Sequence, residues 1–238
     1  IYSDEKFERD LENAGYKFEK TKTGYYVSMN PLLKKLFIEG RITYQSLTST
    51  YAALALDVKD GQNVLDVCSA PGGKAIFVAK KTPTANVVAC DIHPHRVELI
   101  GAYARRMHVK NVTPTLFDGT SFNKEWAGHF DRVLCDVPCS AMGVVKKQPD
   151  VLLNRNENDI TALKKVQYSI LDNAKNYVKR GGLLVYSTCT IFKEENDDNV
   201  EEFLKNNNDF EKYPSEFDGQ YLPCDTHDGF FIRRLRRK

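Results

Sequence analysis

The chain of 238 residues lacks the marks of several protein classes. No apolar run comes near the roughly 20 residues that a membrane-spanning helix needs, so no membrane span is expected. None of the six cysteines forms a C-x-x-C pair, which argues against a structural zinc site, and no metal is expected. A disulfide framework would be unusual in a chain long enough to bury a good core, so the setting is read as reducing and cytoplasmic. The opening IYSDEKFERD has neither an initiator Met nor the charged-then-apolar pattern of a signal peptide, and a fragment or processed product is expected. No internal repeat or low-complexity stretch stands out. Net charge is only +2, so the sum alone does not announce a nucleic-acid partner.

What is present is ordinary for a globular protein: 42% hydrophobic and 28% charged residues, enough for one α/β domain and a small addition. Residues 1–50 differ from the rest. Ser3 and Gly15 bracket a helix over 4–14, extended pieces follow at 16–19 and 25–29, and Asn30-Pro31 reads as a break. A helix over 46–56 leads into residues 51–238. There, near-continuous apolar runs of strand length (63–68, 86–92, 112–117, 130–137, 183–189) alternate with helical stretches (73–81, 94–107, 159–179). Gly181-Gly182 is expected to close the third of these helices. A further helix near 194–206 precedes FEKY and GFFIRRLRR. Such alternation predicts a doubly wound, mostly parallel sheet with its ligand at the carboxyl ends of the strands.

The polar residues bunch at those ends. Ser69-Ala70-Pro71-Gly72-Gly73-Lys74 joins the first strand to its helix, where glycines admit a ligand close to the backbone and the helix start offers free N–H groups to an anion. Neither the Walker pattern nor G-x-G-x-x-G occurs, so a phosphate and an amino-acid carboxylate both remain open. Asp91 ends the second strand, where a carboxylate can take ribose hydroxyls, and Asp118 ends the third, placed for an adenine amino group. One strand-end Asp is more often a helix cap than a ligand. Several converging on one Gly-rich turn favour a nucleoside site.

Asp136-Val137-Pro138-Cys139-Ser140 and Ser187-Thr188-Cys189-Thr190 end the fourth and fifth strands. Adjacent strands would bring Cys139 and Cys189 to one edge of the sheet. A lone Cys is usually inert core, but these two lie in polar turns rather than mid-strand. Carbon 5 of cytosine is a poor nucleophile until a thiolate adds at carbon 6, a task that suits a cysteine of lowered pKa. A carboxyl group such as Asp136 beside ring nitrogen 3 would support the electron-rich ring.

The segments Asp66–Lys74, Asp136–Gly143 and Ser187–Thr190 resemble, in order and spacing, the signature motifs of the Nol1/Nop2/Sun family of RNA cytosine-C5 methyltransferases. The resemblance covers nearly the whole chain. It includes Gln45–Ser49, Gln148-Pro149-Asp150, Glu194-Glu195-Asn196 and Asp228–Phe231, and it is strongest to the bacterial branch that acts on small-subunit ribosomal RNA. It implies a Rossmann-like class I fold dependent on S-adenosylmethionine, with a seven-stranded, mostly parallel sheet. Residues 1–50 would form part of a small α+β, RNA-recognition-like subdomain, and residues 51–238 the catalytic domain. The resemblance implies Cys189 as nucleophile and Cys139 as the aid to product release, with Asp136 and Lys74 in the active centre. Cys68, Ser69, Ala70, Pro71, Gly72, Gly73, Lys74, Asp91, Arg96, Asp118 and Asp136 would hold the cofactor.

The implied substrate is RNA, with no membrane partner, and a monomer is expected. Lys146 and Lys147 should lie near the RNA path. The sequence departs from the family pattern at Ala75, where Thr or Ser is usual, and at Ser46, where an acid is common. Neither position touches the cysteines, and no loss of activity is expected. A DNA cytosine methyltransferase would use the Cys of Pro-Cys alone, and an amino-group methyltransferase needs no thiol. The alternative of another class is a non-catalytic RNA-binding assembly factor that keeps the fold.

Overall fold

The computed structural model describes residues 4–153 and 157–238, so the expected Ser3 cap falls outside the described residues. Phe7, Leu11, Leu33 and Leu36 bury against one another and organise the first layer. They join α1 (Asp4–Asn13), a hairpin of β1 (Phe18–Lys20) and β2 (Tyr25–Val27), and α2 (Pro31–Ile38). Asn30-Pro31, expected as a break, is instead the start of α2. The Asn30 side chain accepts the Leu33 N–H at 2.9 Å, and Pro31 sits in the first turn, where its missing N–H costs nothing. The break and the helix cap share one signal, and the short apolar run behind it decides between them.

The main sheet follows α3 (Leu47–Ala55), whose N-cap position is Ser46. Its parallel strands are β3 (Asn63–Asp66), β4 (Asn86–Asp91), β5 (Val112–Leu116), β6 (Phe130–Asp136) and β7 (Val178–Thr188). The helices α4 (Gly73–Lys81), α5 (Pro94–Arg106) and α6 (Glu157–Ala174) link them. After β7 come α7 (Asp197–Asn206), β8 (Phe210–Lys212), β9 (Gly219–Tyr221) and β10 (Phe230–Arg237). The order is β5-β4-β3-β6-β7-β10-β8, with β9 pairing β10 off that path. The seven expected strands therefore form the path, and β9 is an eighth that a three-residue segment around Gln220 did not announce.

Alternation along each strand sorts the core into two layers. Val64, Leu134, Val185 and Ile232 face α3, α4 and α5, among them Ala52, Ile76 and Ile100. Leu65, Val133, Cys135, Leu184, Tyr186 and Phe231 face α6 and α7, among them Leu171, Val200 and Phe203. Ala75 is buried in the first of these layers, so the family's hydroxyl is replaced there by a small apolar contact.

Gly181-Gly182 does not close a helix. Helix α6 ends at Ala174, a 3-10 turn covers Lys175–Tyr177, and β7 has already begun at Val178. The glycines lie within the strand, where its register with β6 shifts between Phe130 and Arg132. Gly181 has φ +75°, and a side chain on Gly182 would come 2.8 Å from the Lys179 carbonyl. The helix gives way earlier because Tyr177 is drawn into the core, with its hydroxyl bonded to Ser121 O and Asn123 N.

The first layer is tied to α5 through Arg106, which donates to the Phe37 carbonyl at 2.8 Å and lies 4.0 Å over the Phe37 ring. Gly40 makes this approach possible. Its φ is +67°, and a Cβ there would stand 1.6 Å from the Arg106 carbonyl oxygen. Gly40→Ala is expected to destabilise the fold by at least ~1–2 kcal/mol from the left-handed backbone alone. The clash with main chain should add to this, and an earlier urea midpoint would register it. An unchanged midpoint would mean that this seam carries no stability.

Candidate functional site

The chain runs from β3 outward to β4 and β5, then crosses to β6 on the other side of β3, so a crevice opens at the strand ends where the order reverses. A cleft of about 510 Å³ lies there. Its walls include Cys68, Ala70, Asp91, Arg96, Asp118, Asp136, Cys139 and Cys189, all singled out from the sequence. Ile92, Phe117, Val137, Pro138, Val166 and Ile170 add apolar surface to the same cleft. Ile92 is half exposed, unusual for its type and suited to a flat apolar ring.

Each strand end delivers one part. After β3, the Ser69 N–H bonds to the Cys90 carbonyl and the Gly72 N–H to the Ser69 carbonyl, both at 2.7 Å, which folds the loop back before α4. Gly72 takes φ +107° at the N-cap of α4, a left-handed conformation that glycine adopts without strain. Ser69, Pro71, Gly72 and Gly73 shape this loop without lining the cleft, and Pro71 instead borders a separate groove with Tyr44, Leu99 and Tyr103. After β4, buried Asp91 accepts the His93 N–H at 3.0 Å and faces Arg96 at 3.3 Å. Arg96 also donates to the Ala70 carbonyl, so one side chain links the first two loops. After β5, Asp118 accepts from the Thr120 N–H and hydroxyl, and these bonds hold its carboxyl below the usual range.

Asp66, at the end of β3, differs. It is almost fully buried, and neither of its carboxylate oxygens has a hydrogen bond of good geometry. Burial pushes its pKa up to about 7, Asp136 adds to the rise, and the nearby Ser69 and Lys74 oppose it. The stabilising contribution of this proton is therefore full in acid and is lost as pH rises through about 7.

The ends of β6 and β7 meet in register, Asp136 opposite Ser187. Asp136 accepts from the Ser187 hydroxyl at 2.7 Å through one oxygen and from the Lys74 ammonium at 2.6 Å through the other. Lys74 is thus drawn into the centre from α4, over the Phe230 ring at 5.5 Å. Burial alone would depress the Lys74 pKa, but the Asp136 charge and hydrogen bond outweigh it, so the ammonium is held above its ordinary value.

Beyond this pair, the Cys139 and Cys189 sulfurs stand 3.2 Å apart. Cys189 is the more exposed of the two. Its pKa is lowered by the hydrogen bond from Cys139, with Lys74 assisting and burial and Asp136 opposing. Cys139 is driven the other way by the same bond and by burial. Of the two, Cys189 is therefore the thiol that ionises more readily and Cys139 the one that keeps its proton.

Several supporting contacts around the pair join residues far apart in the sequence. The Gly143 N–H donates to the Cys189 carbonyl at 2.9 Å, and the Gly229 N–H to the Gly143 carbonyl at 2.8 Å. A Cβ on Gly143 would lie 2.2 Å from the Gly229 carbonyl oxygen, so only glycine fits this backbone stack. Lys147 pairs with Asp228 at 2.7 Å beside it, and Lys146 with Asp225 at 2.8 Å. Their charges are already partnered, which the bare sequence did not reveal.

The strand order and the strand-end cleft define a class I methyltransferase type of fold. Residues 53–236 match the family described as 16S rRNA methyltransferase RsmB/F, and the chain belongs to that family. It is 35% identical over 216 residues to ribosomal RNA small subunit methyltransferase B of Pasteurella multocida, covering 84% of this chain and 48% of that protein. It is 36% identical over 222 residues to probable ribosomal RNA small subunit methyltransferase B of Bacillus subtilis, covering 85% and 49%. The chain therefore spans about half the length of these curated relatives. Among solved structures, NSun6 from Pyrococcus horikoshii with SFG is 26% identical and superposes with a TM-score of 0.75, covering 90% of this chain and 59% of that one.

The asymmetry of the two thiols has a direct chemical readout. Near neutral pH, limiting iodoacetamide should label Cys189 and the exposed Cys224 first, and Cys139, Cys90 and Cys135 last, as read by peptide mass spectrometry. Lys74→Met should slow labelling of Cys189 and leave Cys224 unchanged. Faster labelling of Cys139 than of Cys189 would reverse the assignment.

Proposed function

We propose that the chain transfers a methyl group from S-adenosylmethionine to carbon 5 of a cytosine in RNA, with small-subunit ribosomal RNA as the substrate. The observation that carries the reading is the pair of sulfurs 3.2 Å apart at the rim of the cleft. A methyltransferase acting on oxygen or nitrogen needs no thiol, and one thiol would be enough to add to the ring. Two thiols of opposed acidity match a reaction that must both make and break a carbon–sulfur bond.

The cleft's donor set fits the cofactor. Asp91 would take the ribose hydroxyls and Asp118 the adenine amino group, while Ile92, Phe117 and Pro138 supply apolar surface for the base. The Cys68–Lys74 loop with the start of α4, together with Arg96, would hold the amino-acid end. When bound, the cofactor supplies an electrophilic methyl sulfonium. Cys189 as thiolate adds to carbon 6 of cytosine, which turns carbon 5 into the nucleophile. Asp136, fixed by Lys74 and Ser187, accepts a hydrogen bond from ring nitrogen 3 in its protonated form, so that addition of the thiolate leaves a neutral enamine. After methyl transfer a water molecule takes the carbon 5 proton, and the electron pair left behind restores the carbon 5–carbon 6 double bond. Nitrogen 3 gives back its proton, and the Cys189 sulfur leaves carbon 6 as thiolate, with Cys139 assisting that release. Residues 1–50 serve as part of an RNA-recognition-like subdomain, and residues 51–238 as the catalytic domain. The target base must be out of any stack to meet Cys189 on one side and the methyl group on the other.

Methyl-labelled cofactor and unmodified small-subunit RNA test this. Cys189→Ala should abolish both transfer and covalent capture of RNA. Cys139→Ala should leave a protein–RNA adduct visible on a denaturing gel. No transfer by the unmodified chain, with the cofactor bound normally, would favour the assembly-factor reading instead.

Replacing Lys146 and Lys147 together with Glu should weaken RNA binding and leave cofactor affinity unchanged, as measured by filter binding and calorimetry. Equal loss of both would remove these lysines from the RNA path.

A further inference from the structure

The residues that follow the two cysteines are bound to each other as closely as the cysteines are. Ser140 Oγ and Thr190 Oγ1 stand 2.8 Å apart. Behind them lies Glu195, completely buried. One of its oxygens accepts the Ser140 N–H at 2.9 Å and the Gln167 amide at 2.8 Å, and the other accepts the Ser140 hydroxyl at 2.5 Å. Gln167 reaches on to the Pro138 carbonyl at 2.9 Å, so the residues on both sides of Cys139 are held by one lattice. Asn199 and Tyr186 close it from behind, with Asn199 donating to Gln167 and the Tyr186 hydroxyl to the Glu195 carbonyl.

A buried carboxylate is costly unless its hydrogen bonds are complete, and here two donors from Ser140 and one from Gln167 of α6 meet its oxygens. Ser140 donates twice to the acid, which leaves its hydroxyl oxygen free to accept from Thr190. The lattice therefore runs from Thr190 through Ser140 to Glu195 and clamps the Pro-Cys turn to the Ser-Thr-Cys turn. Neither Glu195 nor Ser140 lines the cleft.

We propose that Glu195 is a positioning residue that sets the Cys139 sulfur against Cys189, and that it acts on release of the product rather than on methyl transfer. The proposal rests on the two-thiol reading above. During release, the Cys139 thiol must still face the Cys189 sulfur after the latter has become bonded to carbon. The mutual thiol–thiolate hydrogen bond no longer holds the pair at that stage, and the Glu195 lattice does.

Glu195→Gln keeps the shape but replaces the charge-assisted bonds to Ser140 and Gln167 with weaker neutral ones, and it requires the Ser140 hydroxyl to turn from the acid toward Thr190. The expected result is methyl transfer in a single turnover within about twofold of the unmodified chain, with multiple turnover slowed about tenfold or more. Protein–RNA adduct should accumulate on a denaturing gel, and cofactor affinity should not change. Ser140→Ala removes only the hydroxyl link and should show the same adduct at a lower level, so a folding failure in Glu195→Gln leaves the proposal open to refutation.

Cys139→Ala is run beside them. If Cys139→Ala traps adduct and neither Glu195→Gln nor Ser140→Ala does, Glu195 has no part in release. If Cys139→Ala itself traps none, the two-thiol reading fails, and the role of Glu195 fails with it. Parallel loss of single-turnover transfer and cofactor binding in both variants would reduce Glu195 to a purely structural residue.

Discussion

The parallel pairing of β6 with β7 is the constraint on which the centre depends. It sets Asp136 opposite Ser187, and from that pair the chain needs only three residues on one strand and two on the other to reach the cysteines. A slip of one residue would turn Asp136 from the cleft into a layer of packed helices and carry the turn after it out of line. The bulge at Gly181-Gly182 lies at the opposite end of β7, where it alters the register before the pairing that matters begins. Irregularity is thus confined to the end of the strand that carries no chemistry.

Charge is arranged around that pair in a narrow space. One ammonium, Lys74, stands among Asp136, Asp66 and Cys189. A partly buried ion pair is costly to break because the partner left behind keeps its charge out of water. The lysine therefore stays where it is, and its field reaches the sulfur beyond. Asp66 relieves the crowding by keeping its proton up to about pH 7, so the centre does not have to hold two neighbouring carboxylates ionised below that. The two thiols divide their acidity for the same reason: a second negative sulfur 3.2 Å away would be strongly opposed.

Much of this was legible in the sequence because strand ends concentrate polar residues against apolar runs. Asp91, Asp118, Asp136, Cys139 and Cys189 stood out on that ground, and all of them line one cleft. The sheet was legible because its central strands are buried on both faces. What was not legible depends on contacts between distant segments. Asn30-Pro31 carries the same letters whether it breaks a chain or caps a helix. Gly181-Gly182 resembles a helix stop until Tyr177 is known to be buried. Glu195 reads as one of several acids in a charged stretch, and only the fold shows that Ser140, 55 positions away, needs it. Lys146 and Lys147 read as free charge because their acid partners lie about 80 positions later, at Asp225 and Asp228.

The place of β10 within the sheet has a consequence for biosynthesis. This strand, near residue 237, lies between β7 and β8 rather than at an outer margin. Until it has been translated and has left the ribosome tunnel, β7 presents an open row of backbone donors and acceptors, and the loop that bears Gly229 is not there to brace the Pro-Cys turn. The two cysteines are thus translated before the segment that braces the Pro-Cys turn is in place.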